Sequence, residues 1–394
     1  MDFDVVIVGA GPAGASLAVA LSRTGLRLAV IERAPPAAPR EGWDSRIYSL
    51  TPASIAFLDE IGAWQRIEAG RMASIQEMRV FGDSGRSRLD FSAYESGLLQ
   101  LAATVESSRL QHSLWQELER RHNVTLLCPA VPSRLRCGED SAEIELEDGR
   151  TLAAKLAVGS DGADSWVRRA AAIESHGRSY GQLGVVANFA CAREHRNIAY
   201  QWFRHDGVLA YLPLPGRRIS IVWSTPESHA RELLALPAEA LGRHVAEAGR
   251  ESLGALELLA PPAAFPLGSL FARAMVRERI ALVGDAAHVI HPLAGQGVNL
   301  GLGDAHGLAD LLRDTRDPGD RLVLRRYERA RAGDILALRC VTEGLFRLFH
   351  SERRVAAQLR NLGLSLVNSN GVLKTLLARR AVAVGGSSHH KELS

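Results

Sequence analysis

The chain of 394 residues is poor in several things that would have pointed to other functions. Its four cysteines, Cys128, Cys137, Cys191 and Cys340, show no C-x-x-C spacing. That excludes a disulfide framework or a cysteine-based zinc site and fits a reducing compartment, with the thiols read as buried apolar filler. Lysine is confined to Lys155, Lys374 and Lys391, so the positive charge is nearly all arginine, and the net charge is only +3. Such near-balance gives no electrostatic footprint for a nucleic-acid partner. No run of roughly 18 uninterrupted apolar residues is present, so no membrane-spanning helix is expected. Met1 to Asp4 leads straight into an apolar run with no basic-then-apolar leader, and a cytoplasmic location is expected.

What is present is 46% apolar sequence, enough over this length for a large core and for two or more subdomains. Near the start, Val5 to Val8 reads as a buried strand, Gly9-Ala-Gly11-Pro12-Ala13-Gly14 as the G-x-G-x-x-G turn, and Ala15 to Leu21 as a helix. A second strand, Leu28 to Ile31, ends in Glu32. Together they make a complete βαβ dinucleotide fingerprint. The glycines permit a tight turn and close approach of a pyrophosphate, and an acid about 20 positions on meets the ribose hydroxyls.

Far along the chain, Ile280 to Val283 is another short apolar strand, closed by Gly284 and Asp285. Gly295, Gly297 and Gly301 bracket the helix start that follows. The amides near Gly297 to Asn299 would lack intrahelical acceptors and sit at the positive end of the helix dipole, which suits an electron-rich group. His288 and His291 are three apart, but with no third ligand at suitable spacing no metal site is expected and they are assigned to packing or hydrogen-bonding the loop.

Between these ends the pattern alternates. A Pro-rich loop precedes Asp44-Ser-Arg46, and Pro52 to Ile61 reads as a helix. Ile75 to Phe91 is strand-like with Gly82 and Gly85 at a hairpin turn, while Val105 to Arg121 is helical, with Leu110, Leu114 and Leu118 spaced by four. Strands follow at Val124 to Cys128, Ala142 to Leu146 and Leu156 to Val158, the last leading into Asp161-Gly162, which suits either a ligand contact or a capping turn. Val185 to Cys191, Ala199 to Phe203, Val208 to Leu212 and Ile219 to Trp223 form a strand-rich region, with Pro226 to Leu259 helix-like and Ala264 to Leu267 a short strand. The apolar residues Val185, Phe189, Tyr211, Ile221 and Trp223 are expected to line the face of this sheet that covers a ligand.

Three marks then coincide: Gly9 to Gly14 with Glu32, the Asp161-Gly162 segment, and Gly284-Asp285 followed by His291 to Gly301. This set resembles the flavoprotein aromatic hydroxylases. Asp44-Ser-Arg46, Val105-Glu106, Leu212-Pro-Leu214 and Ile221 to Ser224 make the chain most similar to the ubiquinone-biosynthesis ring hydroxylases, over nearly its whole length. It departs from their pattern at Ser107, where asparagine is usual, and at Ser160, where alanine is common.

The resemblance implies an α/β fold of the para-hydroxybenzoate hydroxylase type. A Rossmann-like FAD-binding domain would be formed by residues 1–74, 98–180 and 268–345, with a mixed-sheet substrate domain inserted at 75–97 and 181–267, C-terminal helices at 346–384 and a disordered tail at 385–394. It implies FAD held by Gly9, Gly11, Pro12, Ala13 and Gly14 at the pyrophosphate, by Glu32 and Arg33 at the adenosine, and by Arg46, Val131 and Asp161. Asp285 would hold the ribityl chain, and Pro292, Gly295, Gln296, Gly297, Val298 and Asn299 would lie beside the isoalloxazine. With one dinucleotide fold only, NADPH or NADH would bind transiently as electron donor.

The implied chemistry is oxygen activation by reduced FAD as a flavin hydroperoxide and transfer of one hydroxyl to an electron-rich ring. The cofactor carries that chemistry, and no catalytic side chain is assigned. The implied substrate is a prenylated phenol, with other quinone-biosynthesis proteins as potential partners. A small non-prenylated aromatic remains an alternative, as do a halogenase or prenyl reductase on the same fold and a non-catalytic FAD-binding scaffold. At the C-terminus, Val355, Leu359, Leu362 and Leu366 form one helical stripe with Arg353 and Arg360 opposite, which suits either core docking or peripheral contact with the inner membrane.

Overall fold

The computed structural model describes residues 2–82, 88–290 and 296–349. Strand β1 (Phe3–Val8) is buried along almost all its length, as a strand covered on both faces must be. Helix α1 (Pro12–Leu21) begins with proline at its first turn, where a missing amide costs nothing, and β2 (Leu28–Ile31) runs parallel to β1. The chain then leaves this layer through β3 (Ile47–Leu50), α2 (Pro52–Glu60), β4 (Ala73–Ile75), β5 (Glu77–Phe81) and β6 (Arg88–Ser92).

It returns with β7 (Ala102–Glu106), α3 (Ser107–Glu119), β8 (Val124–Leu127), β9 (Pro132–Cys137), β10 (Ala142–Leu146), β11 (Thr151–Gly159) and α4 (Trp166–Ala170). The helix expected from Val105 starts at Ser107, because Val105 pairs with Tyr48 in the β3–β7 ladder. A small sheet β3-β7-β4, which periodicity did not suggest, results.

Next come the long β12 (Ser175–Cys191), β13 (Ile198–Arg204), β14 (Gly207–Leu214) and β15 (Arg218–Pro226). The helix-like stretch after them divides at Leu236-Pro237 into α5 (Glu227–Ala235) and α6 (Ala238–Ala248), followed by β16 (Leu256–Leu258) and β17 (Ala263–Ala272). The chain re-enters the first layer with β18 (Val276–Arg277), β19 (Ile280–Leu282), β20 (His288–Val289), α7 (Gly297–Leu312) and α8 (Arg321–Phe349). Pro292, Gly295 and His291, the expected C-terminal stripe from Val355 to Leu366 and the tail lie outside the described residues.

The first large sheet runs β18-β19-β11-β1-β2-β8, with β10 and β9 attached at β11, and its centre from β19 to β8 is parallel. Strand order reverses between β1 and β11, so a crevice opens at their carboxyl ends, where Gly9 and Ser160 lie. The second sheet, β20-β17-β12-β15-β14-β13-β5-β6 with β16 beside β12, is antiparallel except where β13 meets β5. The architecture is thus a parallel sheet with an inserted mixed sheet, as the sequence led us to expect.

The second sheet has two unlike faces. Val185, Phe189, Tyr211, Ile221 and Trp223 are buried in one cluster with Ala230 and Leu233 of α5 and Leu241 and Val245 of α6. The Tyr211 hydroxyl donates to the Val245 carbonyl at 2.5 Å. The expectation that these five residues face a ligand is therefore corrected: they face the helices, and their neighbours one position along face the open side. The cysteine expectation is corrected too. Cys191 is buried, its thiol pushed up to about 12 by burial, but Cys137 and Cys340 are exposed and Cys128 is half-buried.

Candidate functional site

One cleft of about 1420 Å³ runs from the carboxyl ends of β1 and β11 to the open face of the second sheet. A drug-sized ligand fills roughly 300–1,000 Å³, so this space suits a dinucleotide together with a second molecule. At one end Gly9 adopts φ +98°, and a Cβ there would sit 2.6 Å from the Ser160 carbonyl oxygen. A Cβ on Gly14 would meet the Gly9 carbonyl oxygen at 2.0 Å, so this third glycine lets α1 pack on the turn and does not itself line the cleft. Gly11 differs: a Cβ there would meet nothing within 4 Å and would project into the space a pyrophosphate needs. Pro12 and Ala13 line the wall beside it.

Glu32, at the end of β2, accepts from the Ala10 amide at 2.6 Å and from the Arg33 amide at 2.8 Å, so its carboxylate is fixed over the glycine turn. Arg33, Arg46 and Val131 also line the cleft. The Asp161 carboxylate lines it but is engaged locally, accepting from the hydroxyl of Ser165, the N-cap of α4, at 2.5 Å and from the Val167 amide in the first turn at 3.0 Å. Ser160, in place of alanine, donates its hydroxyl to the Gly9 carbonyl at 2.6 Å.

Asp285 follows Gly284, whose φ is +60°, and has no hydrogen-bond partner among the described residues. It is reached by water from the cleft although protein rings it. That enclosure pushes its carboxyl above the usual range, against the pull of His288 and Arg46. Tyr48, beside Arg46 at 5.3 Å from guanidinium to ring, has its phenol raised by burial. Behind Asp285 a buried network holds the turn. Asp304 accepts from the Gly284 amide at 3.0 Å, His288 Nε2 lies 2.6 Å from it, and Arg331 donates to it at 2.8 Å. Burial would raise the Asp304 carboxyl, but His288 and Arg331 outweigh it and hold the group low. His288 thus supports the loop from behind, and no group of three potential metal ligands occurs among the described residues.

Gln296, Gly297 and Val298 present the start of α7 to the cleft, and Gln296 Oε1 is buried without a partner among the described residues. Asn299 does not line it. Its side chain accepts from the Thr51 amide and donates to the Ser49 carbonyl, both at 2.9 Å, so cofactor contact here is left to the backbone. Sequence reasoning overlooked the groups that set Arg46 in place. Buried Glu106 binds Arg71 at 2.7 Å and Arg109 at 2.9 Å and accepts from the Asp44 amide at 2.9 Å. Asp44 in turn accepts from the Ser108 amide at 2.7 Å, and Ser107 sits beside it. The sequence signalled Asp44, Val105-Glu106 and Ser107 of this cluster, but neither arginine. Tyr48 and Arg169, also lining residues, carried no signal.

The far end of the cleft is different. Among the described residues, the lining side chains of the second sheet include no charged group, and Val186, Ala210, Leu212 and Val222 make it apolar. The glycine turn, the free Asp285 and the α7 start fit FAD, and the uncharged end fits a neutral apolar molecule beside it.

Comparison with known proteins supports the FAD assignment. Residues 2–337 match the family described as FAD binding domain. The ubiquinone hydroxylase UbiL of Rhodospirillum rubrum is 36% identical over 384 residues, covering 96% of this chain and 89% of that protein. The 3-demethoxyubiquinol 3-hydroxylase of Escherichia coli is 34% identical over 387 residues, covering 97% and 98%. Among solved structures, pqsL, a probable FAD-dependent monooxygenase from Pseudomonas aeruginosa, superposes with a TM-score of 0.75 at 27% identity, covering 92% of this chain and 99% of that one.

Proposed function

Because the chain belongs to the FAD-dependent monooxygenase family that includes the ubiquinone hydroxylases, we propose that it hydroxylates the ring of a polyprenylated phenol in ubiquinone biosynthesis. The enzyme uses FAD, with NADH or NADPH as electron donor. The observation that supports the substrate reading best is the uncharged, apolar second-sheet end of the cleft. A buried carboxylate without a paired cation is costly, whereas each buried methylene of a tail adds about 0.8 kcal/mol.

Bound FAD supplies the oxygen chemistry when reduced by the nicotinamide donor. The chain's residues bind and orient. Gly9 to Gly14 would receive the pyrophosphate against the first turn of α1, Glu32 and Arg33 the adenosine, and Asp285 the ribityl hydroxyls. Arg46, Val131 and Asp161 would border the cofactor. The amides near Gln296 to Asn299 would favour negative charge on the ring system, as helix starts do. The second sheet and the small β3-β7-β4 sheet supply the walls on the ring side of the cleft.

The test is oxygen uptake coupled to hydroxylated product, with matched prenylated and unprenylated phenols. The prenylated phenol is expected to be turned over far faster. Preference for a small hydroxybenzoate would leave an FAD monooxygenase but remove the ubiquinone-pathway reading, and FAD binding without any substrate-stimulated oxidation would leave only a scaffold.

A further inference from the structure

Strand alternation sends Gln201 of β13 and Ser224 of β15 to the open face, while their neighbours Trp202 and Trp223 enter the helix-packed core. Both are buried, Gln201 with 7% and Ser224 with 4% of its surface accessible. Yet neither the Gln201 amide nor the Ser224 hydroxyl has a hydrogen-bond partner among the described residues. A primary amide carries both donors and an acceptor. Here the polar groups of both side chains open onto an otherwise apolar cavity wall, where a ligand's oxygens can take the place of water.

The register places them usefully. Gln201 lies opposite Ala210, which lies opposite Val222, whereas Ser224 lies between Val208 and Gly184. The two side chains are therefore two strands apart, roughly 10 Å across the sheet, and offset along it by one pleat. Ala210, opposite Gln201, is small enough to leave room for a flat ring. A carboxylate would find no cation on this wall, but a neutral ring with oxygen substituents would find an amide N–H, an amide carbonyl and a hydroxyl.

We propose that Gln201 and Ser224 form the polar anchor for the oxygen substituents of a neutral phenolic ring, and so determine which ring carbon is presented for hydroxylation. This deepens the prenylated-phenol reading and rests on it. The ring hydroxyl donates to the Gln201 carbonyl, the Gln201 N–H donates to an adjacent ring oxygen, and Ser224 engages a substituent on the far side. Both are specificity residues, since the anchor acts on the ring's orientation.

The experiment uses the full chain loaded with FAD and two probes, a farnesylated 2,4-dimethoxyphenol, which has an oxygen on each side of the ring, and farnesylbenzene lacking all three oxygens. Dissociation constants are read from quenching of flavin fluorescence, and product positions by NMR. Wild-type protein is expected to prefer the phenol by about tenfold, the discrimination that one or two neutral hydrogen bonds provide. Gln201→Met, of similar volume, should reduce that preference to near parity, leave farnesylbenzene affinity and FAD content unchanged, and scatter the position of hydroxylation. Ser224→Ala should show the same pattern more weakly, and it decides the question if Gln201→Met does not fold. Equal weakening of both probes, or an unchanged preference, overturns the anchor while the prenylated-phenol reading stands. Failure of wild-type protein to bind either probe overturns both.

Discussion

The two faces of the second sheet are made by the same strands, yet one is filled and the other hollow. Toward α5 and α6 point Phe189, Trp202, Tyr211, Ile221 and Trp223, all but sealed from solvent. Toward the cleft point Gly184, Ala199, Ala210 and Val222, interrupted by Gln201 and Ser224. Large rings make a core because they fill it, and small residues make a binding wall because they do not. Stability and recognition are thus separated by a single step along each strand.

The sharpest way to break this division is to truncate the filled face. Trp223→Ala should destabilise the protein by about 3–5 kcal/mol, the usual cost of deleting a buried large aromatic, read from chemical denaturation. If its midpoint barely moves, the helix-packed face is not the structural one.

The cofactor end allows a similar contrast between two aspartates. Asp285→Ala removes a carboxylate that has no hydrogen-bond partner among the described residues, and FAD affinity should fall by about 1.5–3 kcal/mol. Asp161→Ala should instead cost about 1 kcal/mol of stability through loss of its bonds to Ser165 and to the Val167 amide at the start of α4, with a smaller change in affinity. Titration of both apoproteins with FAD ranks them, and a reversed order would remove the ribityl role proposed for Asp285.

A pH effect follows from the raised carboxyl of Asp285. A folded-state pKa above the unfolded value means that the folded apoprotein holds its proton more tightly. Stability contributed by the protonated group is complete below the unfolded value, near 3.8, and is lost as pH rises through the folded one. Asp285→Asn apoprotein should therefore melt slightly higher than wild type at neutral pH and match it in acid. A lower melting temperature at neutral pH would contradict the sign.

The smallest effect on stability belongs to the hollow face. Ala210→Leu points into open space and should change stability by no more than about 0.5 kcal/mol, while blocking binding of a prenylated phenol. Strong destabilisation would show that the wall is packed in solution.

How far the sequence could be read follows the same division. The turn Gly9 to Gly14, the ends of β2 and β19 with Glu32 and Asp285, and the start of α7 are local patterns, so their residue types and spacing sufficed. The period of two in β12 to β15 announced two faces, but periodicity carries no label for which face meets the ligand. Choosing the larger apolar residues selected the core. Glu106 with Arg71 was hidden for another reason, since Arg71 becomes a neighbour of Glu106 only when β7 docks between β3 and β4. The same holds for Asn299, whose motif suggested the cofactor but whose side chain serves Thr51 and Ser49.

The bond between Thr51 and Asn299 spans 248 positions. A ribosome adding about 5–20 residues per second finishes the glycine turn tens of seconds before Asn299 emerges. During that interval the first βαβ unit can exist, but the wall completed by α7 cannot. Tight cofactor capture is therefore a late event in the life of each new chain, and a nascent protein stalled before Asn299 should hold its nucleotide half-site open.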